Sequence, residues 1–244
     1  MALNLDGTDA LLRAAVAHYW TTLERQSAKQ QGGDADRGGR AAATGGKQMD
    51  GFTKVVEHVL LDAGLRSAHI YFNRELELPG FFRPTKKWDL LVVHEKVLLA
   101  AMEFKSQKGP SFGNNFNNRS EEAIGTGQDL VTAFREGAFG FAPVKPWTGW
   151  VMLLEDCPAS TSPVAVEEPH YKVFPEFRGA SYMKRYELLL RRLVREGLYN
   201  SAALITATPS GGPAGAFNEP AADLKMRALL AGLGGHVTAY LAQK

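Results

Sequence analysis

Residues 88 to 105 constrain this chain more than any other stretch. They read Trp-Asp-Leu-Leu-Val-Val-His-Glu-Lys-Val-Leu-Leu-Ala-Ala-Met-Glu-Phe-Lys: two apolar runs with a short polar break between them. Runs of this length, rich in branched side chains, read as paired β-strands. A hairpin centred on Lys96 sets Asp89, at the start of the first strand, directly across from Glu103, near the end of the second. Strand side chains alternate, so Lys105 shares a face with Glu103 while Phe104 points the other way. Leu91, Val93, Leu99 and Ala101 are expected on one face, and Leu90, Val92, Leu98, Ala100, Met102 and Phe104 on the other. Strands apolar on both faces are buried on both, so the pattern predicts helices on each side of the sheet.

Acid-x-lysine alone is a weak signal, and Asp223-Leu224-Lys225 supplies a second copy. That triplet follows Pro220 in a stretch that reads as an amphipathic helix, with no acid-bearing strand before it, and is set aside. Glu103-Phe104-Lys105 instead ends a buried apolar strand, where charges are costly unless paired or bound to a metal. The plain alternative is an ion pair at a sheet edge. In the functional reading, Asp89, Glu103 and the Phe104 carbonyl offer oxygen ligands to a hard cation such as Mg²⁺. Such a cation polarises a phosphodiester and acidifies a water, while Lys105 orients that water and offsets developing charge. Glu57, Glu75 and Gln107 are candidate accessory residues; the plain alternatives are a solvated helix position for Glu57 and a loop position for Gln107.

The rest of the chain organises around this hairpin. Helices are predicted at about 8–30, 48–63, 118–137, 181–196 and 220–242. Strands are expected at 69–72, 147–155 and 203–208, and a loop through Pro79-Gly80 and Pro84. The helix at 118 is placed by Asn118 and Glu121, which resemble a capping box. Helices and strands interleave, which predicts an α/β fold with a mixed central sheet flanked by helices. Residues 31–47 are too glycine-rich to pack and read as a flexible loop. They are not a phosphate loop, because Ala41 and Gln48 stand where glycine and Ser or Thr are required. Net charge is +2, too mild to imply a nucleic-acid partner by itself. One cysteine, Cys157, excludes an intrachain disulfide and fits a reducing cytoplasm. The histidines show no paired ligand spacing, which argues against structural zinc. No signal peptide or long apolar run is present, so neither secretion nor a membrane span is expected.

The run from Glu103 to Gly125, Glu-Phe-Lys-Ser-Gln-Lys-Gly-Pro-Ser-Phe-Gly-Asn-Asn-Phe-Asn-Asn-Arg-Ser-Glu-Glu-Ala-Ile-Gly, resembles the corresponding segment of the XhoI family of type II restriction endonucleases. Residues 1–5, 88–93, 137–140 and 154–164 are similar as well. The resemblance implies a single nuclease domain over 1–244 with a PD-(D/E)xK restriction-endonuclease-like core. It maps Asp89, Glu103 and Lys105 as the catalytic set, with Trp88 where the motif usually has proline. It further implies Mg²⁺ as cofactor, double-stranded DNA as substrate, and a homodimer cutting a CTCGAG-type palindrome to leave 5′ overhangs. A separately encoded methyltransferase would protect the host. On this reading Asn114, Asn115, Asn117, Asn118 and Arg119 form a DNA-contacting loop, and Arg37, Arg40 and Lys47 a flexible arm that orders on DNA. A turn and a plain linker are the respective alternatives. A repair or junction-resolving nuclease of the same fold, or a DNA-binding module without catalysis, are the competing functions.

Overall fold

The computed structural model describes residues 3–31, 46–140 and 144–244. Among the described residues the strands are β1 (Ile70–Tyr71), β2 (Glu77–Pro79), β3 (Thr85–Lys87), β4 (Leu90–His94), β5 (Val97–Gln107), β6 (Trp147–Glu155) and β7 (Ser201–Ala207). Five of them make one sheet in the order β1-β4-β5-β6-β7, and β2 and β3 form a separate hairpin. The β1/β4 and β4/β5 pairs are antiparallel, whereas β5/β6 and β6/β7 are parallel. The sheet is therefore mixed, as expected, and β5 is the strand where the two halves meet.

Helices cover both faces. The helices are α1 (Thr8–Gln31), α2 (Asp50–Asp62), α3 (Phe112–Arg135), the short α4 (Pro158–Thr161), α5 (Tyr182–Arg195) and α6 (Met226–Leu241). α1, α2 and α6 bury Val16, Phe52, Val56, Leu229 and Leu233 against Leu90, Val92, Met102 and Phe104. On the opposite face α3 and α5 bury Ala123, Tyr186 and Leu190 against Trp150, Met152 and Leu204. A third cluster joins Trp88, Leu91, Leu98 and Ala101 to Leu76 below β2 and Leu130 of α3.

The β4–β5 turn differs from the expected one in an instructive way. Its two residues are Glu95 and Lys96, both left-handed (φ 49° and 65°), the signature of a tight hairpin turn. His94 closes β4 opposite Val97 rather than sitting in the turn. The turn is thus centred half a residue early, and a register shift at Val92/Val93 restores the expected pairing from Val92↔Ala100 through Leu90↔Met102. The extra residue in β5 exchanges Leu98 and Leu99: Leu99 joins the α1–α2–α6 face and Leu98 packs with Leu91.

Three other expectations are corrected. α3 begins at Phe112, not near Asn118, because Phe112 and Phe116 pack on Tyr182 and Tyr186 of α5. That burial outweighs the poor helix propensity of the asparagines between them. Pro220 does not open the last helix, which starts at Met226 with Lys225 as its cap residue. Asp223-Leu224-Lys225 therefore lies ahead of a helix, and Asp223 pairs with Arg191. The loop through Pro79 and Pro84 is the β2–β3 hairpin, whose three-residue strands are too short to show a period.

Buried Asp129 of α3 fixes the tip of that hairpin, accepting hydrogen bonds from the Phe81 and Phe82 N–H groups (2.7 and 2.9 Å) and Arg83 Nε (2.8 Å). Burial pushes its carboxyl up, but these donors outweigh burial and hold it below the ordinary range. A depressed carboxylate contributes its stabilisation above the ordinary carboxylate pKa and loses it as pH falls through the depressed value. Asp129→Asn should cost roughly 1–2 kcal/mol at pH 7, with the gap to wild type closing below about pH 4. Urea denaturation across pH checks this; a gap that persists at acid pH would contradict it.

Candidate active site

The register of β4 and β5 brings the two acids together. Asp89 lies one residue before β4; its N–H donates to Met102 O (3.2 Å) and its Oδ2 accepts from the Phe104 N–H (2.7 Å). Glu103 is buried to 1% exposure, between the face-alternating Met102 and Phe104 that point into the α1–α2–α6 core. Lys105, two residues on, reaches back over both acids. Its ammonium stands 3.7 Å from Asp89 Oδ2 and in direct contact with Glu103 Oε2. The three side chains expected to converge do so.

Two residues not anticipated from sequence complete the cluster. Lys86 of β3 lies 2.7 Å from Glu103 Oε1, with its ammonium 5.5 Å from the Trp88 ring centroid. Glu122 of α3 pairs with Lys105 at 2.9 Å and also contacts Arg119. Lys86 is hidden because its strand reads as a loop, and Glu122 because its contact with Lys105, 17 residues away on β5, depends on how α3 packs on the sheet. The Arg119/Glu122 i,i+3 spacing was the one local clue.

Burial dominates the electrostatics. It raises the Glu103 carboxyl above the usual range, with Asp89 adding to the rise, although Lys105 and Lys86 pull it down. Burial alone would push the Lys105 ammonium down; the surrounding Glu103, Asp89 and Glu122 outweigh it and hold the pKa well above that of a free lysine. Glu122 is raised by burial but lowered further by Lys105 and Arg119, and stays below the ordinary range. Lys105 is thus a firmly held cation.

A cleft of about 490 Å³ opens beside the cluster, lined by Asp50, Thr53, Phe72, Lys86, Lys87, Asp89 and Lys105 among others. Among the described residues no group of three or more His, Cys, Asp or Glu gathers into a ready metal cage. Two features nonetheless fit a hard cation. Glu103 is a buried carboxylate with an ammonium on each oxygen, Lys86 on Oε1 and Lys105 on Oε2, so the pocket is one that takes positive charge. The donors are all oxygens: Asp89, Glu103 and the Phe104 carbonyl, a set that suits Mg²⁺ retaining several waters.

The accessory candidates fall elsewhere. Gln107 is buried, with its amide donating to Phe112 O (3.1 Å) and its carbonyl accepting from the Tyr186 hydroxyl, so it is engaged with α3 and α5 rather than lining the cleft. Glu57 lines a neighbouring hollow with Tyr71 and Arg74. Glu75 is exposed in a left-handed turn (φ 57°) before β2, outside the cleft. Asn114, Asn115, Asn117, Asn118 and Arg119 stand on the first two turns of α3 rather than in a loop, with Asn114, Asn117 and Asn118 exposed. Arg37, Arg40 and the Lys47 side chain lie outside the described residues.

The fold and cluster together define an α/β protein that presents paired carboxylates and a lysine beside an open cleft. The family model of the restriction endonuclease XhoI matches residues 28–219. The chain belongs to the XhoI restriction endonuclease family, a family of type II restriction enzymes. It is 51% identical over 213 residues to the type II restriction enzyme BstVI of Geobacillus stearothermophilus, covering 85% of this chain and 95% of that enzyme. It is 48% identical over 203 residues to the type II restriction enzyme XhoI of Xanthomonas vasicola, covering 81% and 79%. The type II restriction enzyme AbrI of Azospirillum brasilense is 51% identical over 174 residues, 70% of this chain and 78% of that enzyme. No solved structure matches the chain. Among the described residues no helix is long and apolar enough to cross a membrane.

Coupling between Glu103 and Lys86 is open to direct measurement. In metal-free buffer Lys86→Met should cost about 2 kcal/mol, because a buried carboxylate loses one of its two cations. In a double-mutant cycle with Glu103→Gln the two losses should fall short of additivity by at least about 1 kcal/mol. Simple additivity would mean that the pair is not coupled.

Proposed function

We propose that this chain is a type II restriction endonuclease that makes Mg²⁺-dependent double-strand cuts in DNA at CTCGAG and leaves 5′ overhangs. The carrying observation is the convergence of Asp89, Glu103 and Lys105 at one end of the β4–β5 pair, in a member of a family of restriction enzymes. The relatives' similarity over most of the chain supports carrying over their site specificity. Asp89, Glu103 and Lys105 are also the residues that a PD-(D/E)xK nuclease core requires, and the whole chain reads as one such domain.

The residues divide the chemistry among them. Asp89, Glu103 and the Phe104 carbonyl would hold the cation. A Mg²⁺ there would supply Lewis acidity to the scissile phosphate and to a water. Lys105, an ammonium set among Asp89, Glu103 and Glu122, positions the attacking water and offsets charge on the pentavalent phosphorus. Lys86, held on the other oxygen of Glu103, is placed to contribute a second positive charge to the phosphate. Exposed Asn114, Asn117 and Asn118 with Arg119, on the opening turns of α3, are the residues assigned to DNA contact. A palindromic site calls for a two-fold assembly, hence a homodimer. A separately encoded methyltransferase acting on the same site in the cytoplasm completes the system.

Digestion of a sequenced plasmid with end mapping tests the reading; discrete fragments with 5′-extended ends at CTCGAG are expected, and nicks at branched or mismatched DNA would point to a repair nuclease instead. Asp89→Ala and Glu103→Ala should each lower cleavage by at least about 10³-fold while Ca²⁺-supported duplex binding stays within threefold, the pattern of a lost transition-state interaction. Cleavage at the normal rate by either variant would remove that residue from the site. Lys105→Ala should reduce the single-turnover cleavage rate far more than affinity; equal losses in both would make it a phosphate anchor.

A further inference from the structure

The tip of the β2–β3 hairpin presents two phenylalanines to solvent. Phe81 and Phe82 are 52% and 69% exposed, and their rings meet edge to face with centroids 5.0 Å apart. Leaving two adjacent aromatic rings in water is unfavourable, and such patches mark contact surfaces. This tip is also held rigidly. Asp129, 3% exposed, binds both phenylalanine N–H groups and Arg83, and Arg83 reaches on to Thr126 Oγ1 at 3.2 Å. Gly80 has no room for a Cβ, which would fall 2.6 Å from both Arg83 O and Asp129 Oδ2. The chain thus places a buried carboxylate under two exposed rings.

What the rings face follows from the root of the same hairpin. Lys86, paired with Leu78 across the hairpin, ends on Glu103, and Lys87 lines the cleft beside Asp89. Phe82 also borders a shallow hollow whose other wall includes Glu122, the partner of Lys105. Residues 81–84 are the bent tip and Thr85–Lys87 the strand, so Phe82 lies at most roughly 13 Å along the chain from Lys86, within about four base steps at 3.4 Å each. A polyanion lying in the cleft against Lys86 and Lys87 would have the rings within that reach.

We infer that the Phe81–Phe82 tip is a wedge that enters the base stack of bound duplex DNA within a few base pairs of the cleaved phosphate. Apolar side chains inserted at a base step unstack it and bend the duplex, which makes the sequence's deformability part of recognition. Asp129 holds the wedge at fixed height above the sheet. The inference rests on the nuclease reading of the same site.

The test uses the full chain, Ca²⁺ in place of Mg²⁺, and duplexes carrying 2-aminopurine at the adenine of CTCGAG or at flanking positions. Wild type should raise the fluorescence at least twofold at one or more positions. Phe81→Ala/Phe82→Ala should abolish that rise and weaken binding at least tenfold, with the salt dependence of binding unchanged because phosphate contacts remain. Both side chains are exposed, so the double variant should fold, and its circular dichroism and melting should match wild type. If wild type binds the duplex in Ca²⁺ without a fluorescence change and cuts it in Mg²⁺, or the double variant behaves like wild type, the wedge is wrong and the nuclease reading stands. If wild type neither binds nor cuts the duplex, the nuclease reading fails and the wedge falls with it. If sedimentation shows that the double variant instead loses self-association, the tip is a contact with a second copy and the inference is overturned.

Discussion

A single carboxylate, Glu103, sets the terms for this region of the molecule. A charge buried to 1% exposure in the middle of a sheet needs compensation worth several kcal/mol. It receives it from two lysines on separate elements, Lys105 of β5 and Lys86 of β3. Lys105 in turn engages Glu122 of α3. Glu103 thereby ties the main sheet, the small hairpin and the longest helix of that face to one another, and the cleft between them inherits a fixed pattern of charge.

The sheet topology explains why this charge sits where it does. β5 pairs antiparallel with β4 on one side and parallel with β6 on the other. The antiparallel side brings the head of β4, and with it Asp89, level with Glu103. The parallel side seats Glu103 beside Trp150 of a β6 buried along nearly its whole length. Alternation then sends Met102 and Phe104 into one core and leaves Glu103 and Lys105 together on the opposite face. The polar cluster and the core packing are two outcomes of one strand's period.

Much of this was legible in the sequence, for identifiable reasons. β6 was expected at 147–155 and lies there, because an apolar run of that length has few alternatives. Asp89 and Glu103 meet at the same end of the β4–β5 pair although the turn was misplaced, since the bulge at Leu99 cancels the early turn and restores the expected pairing as far as Leu90↔Met102. That bulge is a backbone event with no side-chain signature, so the faces of Leu98 and Leu99 came out reversed. Tertiary packing hid other features: Phe112 and Phe116 carry α3 six residues further back through an asparagine-rich run that alone reads as a loop. Lys86 and the Asp129 anchor were invisible because each depends on a partner 17 or 46 to 48 residues away, joined by strands three residues long.

The central claim is that the carboxylates of Asp89 and Glu103 share one divalent cation with Lys105 alongside. Anomalous diffraction from crystals of the enzyme–DNA complex grown with Mn²⁺ tests it most directly. The account predicts a peak about 2.1 Å from an oxygen of each carboxylate, with the Lys86 ammonium moved off Glu103 to make way. A strong peak elsewhere in the protein, with Glu103 still enclosed by its two lysines, would contradict it.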